Sequence, residues 1–347
     1  MGKLSRRDFL KVTAAGAGAV TLGAFLDACQ QIVPVPAPQA GMPDSTLQQN
    51  PSPSLSPTDT VPAPTDTLPA PTDTPLPPPD VVVTRGGEPE ELVRQSIAAL
   101  GGMDKFVSYG ANVVVKPNIC TAYHPYEYAA TTNPWVVGTL VKMCFEAGAA
   151  SVKVMDFPFG GTAQEAYEIS GIKEQVEAAG GEMVYMVSWK YIPTENPAGR
   201  KLKSFEVYED VLKADVLINV PIAKNHDASV LTLGMKNLMG VISNREMLHY
   251  YGLHRCIADL NALIRPQLTV VDAVRILTEG GPTGGNLEHV KKLDTIIASR
   301  DVVAADTYAA TLFEGVKLKE LEYITIGTDM GLGRSDLENL NVQVIQI

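Results

Sequence analysis

The sequence predicts an α/β fold, a mainly parallel sheet flanked by helices, preceded by a disordered Pro-rich tether. Three observations point there. Short apolar runs of strand length alternate along the chain with segments of helical period. Two of these runs, Val113–Val115 and Val216–Val220, are apolar almost throughout rather than alternating, as in strands covered on both faces. Such runs end in polar or ionisable residues, where α/β sheets gather their ligands. A chain of 347 residues leaves room for two lobes.

Residues 1–29 read as an export signal. Ser5-Arg6-Arg7-Asp8-Phe9-Leu10-Lys11 matches the twin-arginine pattern, so the twin-arginine export machinery is the expected first partner. The fifteen uncharged residues Val12–Leu26 follow. As a helix they would reach only about 22 Å, short of a ~30 Å hydrocarbon core, which marks a targeting segment rather than a permanent span. Leu26-Asp27-Ala28-Cys29 is similar to a lipobox in Leu26 and Ala28 and departs from it at Asp27. Cys29 is therefore the expected lipid anchor, with simple cleavage as the alternative. The domain would then sit on the outer face of the cytoplasmic membrane, or be released after cleavage.

Residues 30–79 hold fifteen of the 25 prolines, and Pro57, Pro64 and Pro71 each open the same Pro-Thr-Asp-Thr. Such a stretch has too little apolar surface to offset its chain entropy and is expected to stay extended and disordered. It carries no Lys or Arg at all.

From residue 80 onward the patterning changes. Glu88–Leu100 reads as a helix, and Asn112–Lys116 as a buried strand. Thr132-Asn133-Pro134 has the form of an N-cap followed by Pro at the first helical position, opening a helix to about Ala147. Gly148 stops it and Ser151–Met155 supplies the next strand. A helix near Ile172–Ala179, strands at Glu182–Val187, Val216–Val220, Leu268–Val271 and Thr295–Ala298, a helix over Val302–Phe313 and a last strand near Leu340–Ile347 complete the series.

The candidate site residues follow from the strand ends. Lys116-Pro117-Asn118 closes one strand, Asp156 a second, Asn219-Val220-Pro221 a third and Asp272 a fourth. Lys116 and Asn118 are candidate ligand-binding residues, and Asp156 and Asp272 could hold a cation. Lys224-Asn225-His226 pairs an anion-binding group with one that titrates near neutrality, unless the run is simply an exposed loop. Lys236-Asn237 lies in an apolar, Gly-bracketed segment, where a lysine is costly unless it is paired or faces a cavity. His254 opens a further helical segment. Lys224, His226, Lys236 and His254 are the candidates for proton transfer, and Asn237 for ligand binding. Gly280–Gly285 could bring backbone N–H groups to an anion, or be a flexible turn.

Composition removes other classes. Lys+Arg 28 against Asp+Glu 39 gives a net charge of −11, which argues against a nucleic-acid partner. The four cysteines contain no C-x-x-C, which argues against an iron–sulfur cluster. A single disulfide among Cys120, Cys144 and Cys256 stays open.

Together, Val113–Asn118, Thr132-Asn133-Pro134, Asn219-Val220-Pro221 with Lys224 and His226, Lys236–Gly240, His254, Val271-Asp272-Ala273, Glu279–Pro282 and Ser299–Asp301 through Asp306 resemble the DUF362 family, from about residue 80 to the C-terminus. The resemblance implies a domain of unknown function that sometimes occurs in iron–sulfur proteins. A more distant similarity is to the nickel-pincer lactate racemase fold, with no residue carried over, and it implies a site for small carboxylates. The expectation is an exported, membrane-tethered protein acting on a small anionic substrate, as a metal- or cofactor-dependent, redox-associated enzyme. A tethered binding protein for a small acidic ligand is the alternative.

Overall fold

The computed structural model describes residues 78–347. The export signal with Arg6 and Arg7, Cys29 and all but the end of the Pro-rich segment lie outside the described residues. The strands are β1 (Val81–Arg85), β2 (Asn112–Pro117), β3 (Ser151–Val154), β4 (Glu182–Met183), β5 (Tyr191–Glu195) and β6 (Ser204–Tyr208). They continue as β7 (Val216–Val220), β8 (Ile222–His226), β9 (Val230–Thr232), β10 (Leu268–Leu277), β11 (Val290–Ser299) and β12 (Val342–Gln346).

One sheet runs through the described body in the order β12-β1-β11-β10-β7-β2-β3-β4, with β8 branching from β10 and pairing with β9. The β10-β7-β2-β3-β4 half is parallel throughout, and β11 runs antiparallel to both neighbours. Strand alternation divides the apolar residues between two cores: Val81, Val83, Val114 and Val271 enter one, and Val82, Val113, Val115 and Val270 the other. With a core on each face of a single sheet, the body is one unit rather than two lobes. The β5–β6 hairpin is a separate two-stranded sheet.

The helices start where their sequences provide for it. Asn133 caps helix Pro134–Glu146 by accepting from Trp135 N at 3.0 Å, with Pro134 in the first turn. Asp301 caps helix Val302–Ala310 by accepting from Val303 N and Ala304 N. That helix ends at Ala310, short of the expected Phe313. Among the described residues, no helix is long and apolar enough to cross a membrane.

Several strands differ from expectation for physical reasons. The strand expected over Glu182–Val187 is only Glu182–Met183, because β4 is an edge with a single partner. The segments expected at Leu268–Val271 and Thr295–Ala298 are the buried parts of the ten-residue strands β10 and β11. These continue as antiparallel arms through Arg275, Lys291 and Lys292, where charge hides the strand pattern. Lys224-Asn225-His226 is polar but is strand β8, with Lys224 paired to Thr232 and His226 to Val230. Cys120, Cys144 and Cys256 are all buried free thiols, so the open disulfide is not formed.

Candidate functional site

The carboxyl ends of the parallel strands β2, β3 and β7 lie side by side, and a cavity of about 460 Å³ opens beyond them. Sheet register builds its floor. Lys116 of β2 pairs directly with Asn219 of β7, which places their side chains together. Asn237 bridges the two, donating from Nδ2 to Asn219 Oδ1 at 2.9 Å and to the Lys116 carbonyl at 3.2 Å. Its Oδ1 accepts from Lys116 Nζ at 2.8 Å and from Asn118 Nδ2 at 3.0 Å.

Lys116 is fully buried and has three partners: Asn237 Oδ1, the Pro117 carbonyl at 2.9 Å and Asp156 Oδ1 at 2.8 Å. Burial pushes its pKa down to about 8, and the Asp156 carboxylate acts in the opposite direction. Asp156 also accepts from Ile119 N at 2.6 Å and Phe157 N at 2.9 Å, so it is a pairing and loop-closing carboxylate. Gly240 packs against this pair; a Cβ there would overlap Asp156 Oδ1 and lie 2.7 Å from Lys116 Nζ. Only glycine lets the chain pass so close.

Lys224 is just as thoroughly held. Its Nζ donates to Asn118 Oδ1 at 2.9 Å, the Ala130 carbonyl at 2.6 Å and the Pro282 carbonyl at 2.9 Å. All three N–H bonds are committed to neutral protein acceptors, so the Lys224 side chain is held in place. The Gly-rich segment Gly280–Gly285 thus presents a carbonyl, not the N–H donors its composition suggested. That Pro282 carbonyl also accepts from Cys120 Sγ at 3.3 Å.

Lys236 is different. It is 9% exposed, lines the same cavity and has no ion pair or hydrogen bond from Nζ to protein among the described residues. Burial, then the Lys224 cation, push its pKa down to about 7. Its short helix, Gly234–Asn237, is fixed from three directions. Asp306 accepts from Gly234 N at 2.6 Å and Met235 N at 2.8 Å. Asn219 Nδ2 donates to the Gly234 carbonyl and Asn261 Nδ2 to the Met235 carbonyl, each at 2.9 Å. Asp306 is fully buried and burial raises its pKa to about 8, while the two backbone N–H bonds favour its ionised form.

His226 completes the inner wall. Its Nδ1 accepts from Ala228 N at 3.0 Å, which assigns the ring proton to Nε2. Burial and the Lys236 and Lys224 cations push its pKa down to about 3, so the ring is a neutral donor near pH 7. The turn that carries it is strained, since the β-branched Val230 opposite it has φ 65°. The His249 ring stacks on His226 with centroids 6.2 Å apart.

Two lining residues were not signalled by the sequence. Arg245 lies over the Phe157 ring at 5.1 Å and donates from Nη1 to the Phe157 carbonyl, whereas its buried Nη2 has no partner among the described residues. Its loop position gives no pattern to read. His249 lies five residues from His254, a spacing that does not suit a helical zinc pair, and its neighbour in space is His226.

The structure therefore brings Lys116, Asn118, Asp156, Lys224, His226, Lys236 and Asn237 together and leaves two candidates elsewhere. His254 stacks on Tyr323 at 5.9 Å and does not line the cavity. Asp272 lies inside β10, not at its end. It accepts from Asn133 N at 2.7 Å and Val274 N at 3.0 Å, which ties it to the start of helix Pro134–Glu146. Asp156 and Asp272 thus serve separate backbone donors. Among the described residues, no three His, Cys, Asp or Glu side chains come together as metal ligands. The donor set of the cavity suits an anion rather than a cation.

Comparison with known proteins places the chain. Residues 3–23 match the twin-arginine translocation signal, so the protein is exported across the cytoplasmic membrane. A thylakoid-associated protein of Synechocystis is 28% identical over 222 residues, which cover 62% of this chain and 66% of that one. The lactate racemase apoprotein of Thermoanaerobacterium thermosaccharolyticum superposes with a TM-score of 0.44 at 14% identity, over 69% of this chain and 58% of that one. A structural-genomics target from Thermotoga maritima gives 0.40 at 13% identity, over 65% and 59% of the two chains. The chain thus spans less than two thirds of the length of each of these proteins. The model for the domain of unknown function DUF362 matches residues 113–311, more than half of the sequence, and the chain belongs to that family.

Proposed function

We propose that this chain is an exported enzyme, tethered through residues 30–79 and lipid-anchored at Cys29, that receives a small carboxylate and exchanges a proton with it through Lys236. One observation carries the reading. Of three lysines lining the cavity, Lys116 and Lys224 are saturated by protein acceptors, and Lys236 has none among the described residues. With Lys116 balanced by Asp156, Lys224 and Arg245 supply the positive charge that draws anions to the cavity of an acidic protein. An amine whose pKa lies close to the working pH is suited to both halves of a proton transfer. The neutral His226 Nε2–H adds a donor that costs no charge.

Linked-proton calorimetry tests this. A carboxylate beside Lys236 favours the ammonium form, so binding is expected to take up close to one proton about one pH unit above neutrality. Titrating the protein with lactate in buffers of different ionisation enthalpy reads that uptake. Lys236→Arg should still bind but take up no proton, because arginine keeps its charge throughout. Binding by the unaltered protein without proton uptake would leave the tethered binding protein as the function. Absence of binding by any small carboxylate would remove both readings.

A further inference from the structure

We propose that Lys236 is a nucleophile as well as a base, and that the cavity takes carbonyl-bearing acids, 2-oxo acids above all, whose carbonyl carbon it captures as an imine. The inference rests on the carboxylate-binding reading of the same cavity and adds a covalent step to it.

The geometry distinguishes one amine from its neighbours. A lysine can attack a carbonyl only with its Nζ free to approach the carbon, and hydrogen bonds to three acceptors tie an amine in place. Lys116 and Lys224 are held in that way. Lys236 is about as buried, but its Nζ faces the cavity without a protein partner among the described residues. Desolvation beside other cations is an arrangement that activates a lysine nucleophile. The remaining groups fit the rest of the ligand. Arg245 Nη2 is buried and unpaired, a donor for a carboxylate, and Arg245 is itself steadied over Phe157. His226 Nε2–H is a neutral donor for the carbonyl oxygen.

The step balances without an outside oxidant or reductant. The Lys236 ammonium first gives one proton to cavity water. The neutral Nζ then attacks the carbonyl carbon, forming the C–N bond as the carbon–oxygen π bond breaks onto the oxygen, which accepts a hydrogen bond from His226 Nε2–H throughout. A proton passes from the attacking nitrogen to that oxygen, giving a neutral carbinolamine. The oxygen takes back the proton first released and leaves as water, while the nitrogen lone pair closes the C=N bond. Overall, lysine ammonium and 2-oxo acid give a protonated imine and one water.

The test incubates the full chain with pyruvate and cyanoborohydride near pH 7, which reduces any imine to a stable secondary amine. Intact mass and peptide mapping then locate the adduct, and calorimetry with lactate, which has no carbonyl, reports anion binding separately. The expected result is one adduct per chain, on Lys236, formed about a hundred-fold faster than on exposed lysines and slowed by lactate. Lys236→Met and Lys236→Arg should both lack it, with unchanged circular dichroism confirming that each is folded. Lactate binding with no adduct at Lys236, or adducts spread evenly over exposed lysines, would overturn the imine and leave the carboxylate site standing. Absence of both lactate binding and adduct would overturn both.

Discussion

Lys236→Met is expected to make the protein more stable while abolishing proton-linked ligand uptake. Met matches the apolar stem of lysine in length and fills irregular space well, so no cavity need result. What it removes is a buried ammonium with no protein partner among the described residues, close to the Lys224 and Lys116 cations. The pKa falls from the ordinary lysine value of 10.5 to about 7 in the folded protein. Each unit corresponds to about 1.4 kcal/mol, so after relaxation and water entry the stabilisation is on the order of 3 kcal/mol. The folded state binds fewer protons than the unfolded state between these two values, so the penalty is complete below pH 7 and fades as pH rises toward 10.5. Denaturant titrations at pH 6 and pH 10 should therefore show a gain for Lys236→Met at the lower pH that is largely gone at the higher. A functional lysine held at a cost to stability is the kind of trade expected at a site. An equal or lower stability of Lys236→Met at pH 6 would mean that the amine is solvated or paired.

Asp156→Ala should have the opposite effect and the largest loss. It strips the Lys116 ammonium of the Asp156 carboxylate, its one carboxylate partner among the described residues, and leaves Ile119 N and Phe157 N without their acceptors. Removing one member of a buried pair costs about 3–5 kcal/mol, because the other charge is left uncompensated. Lys116 is already held down to about 8 by burial, and without Asp156 it falls further. Its depressed value means that the defect is complete below that folded pKa and shrinks as pH rises, since the lysine sheds its proton in the native state first. Adding Lys116→Met to Asp156→Ala should restore a large part of the loss, because the stranded charge is gone. Urea unfolding of the single and double variants decides it. An Asp156→Ala defect that the double variant does not relieve would place the damage in the Ile119–Phe157 loop instead.

The sequence carried the site unevenly, and the reasons are physical. Lys116, Asn118 and Asp156 were visible because they follow apolar runs that only buried strands would have, and ligands collect where such strands end. Lys236 stood out because an apolar segment does not hold a lysine without cause. Strand β8 was not visible, since Lys224, Asn225 and His226 look like a loop until β9 and β10 are seen to pair with it. Asp272 shows the reverse error: the apolar run stops there but the strand continues, and the carboxylate works for a helix start. Arg245 and His249 reach the cavity from a loop and a short helix whose position is set by tertiary packing, which no local pattern encodes.

On the proposed reading, Lys236 is a buried amine poised near neutrality to meet a carboxylate. Nitrogen-detected NMR of isotope-labelled lysine side chains, with the Lys236 resonance assigned from Lys236→Arg, follows that one amine directly. The expected midpoint is about 7 without ligand, moving upward when lactate is added. A midpoint at the ordinary lysine value of 10.5, unmoved by lactate, would contradict it.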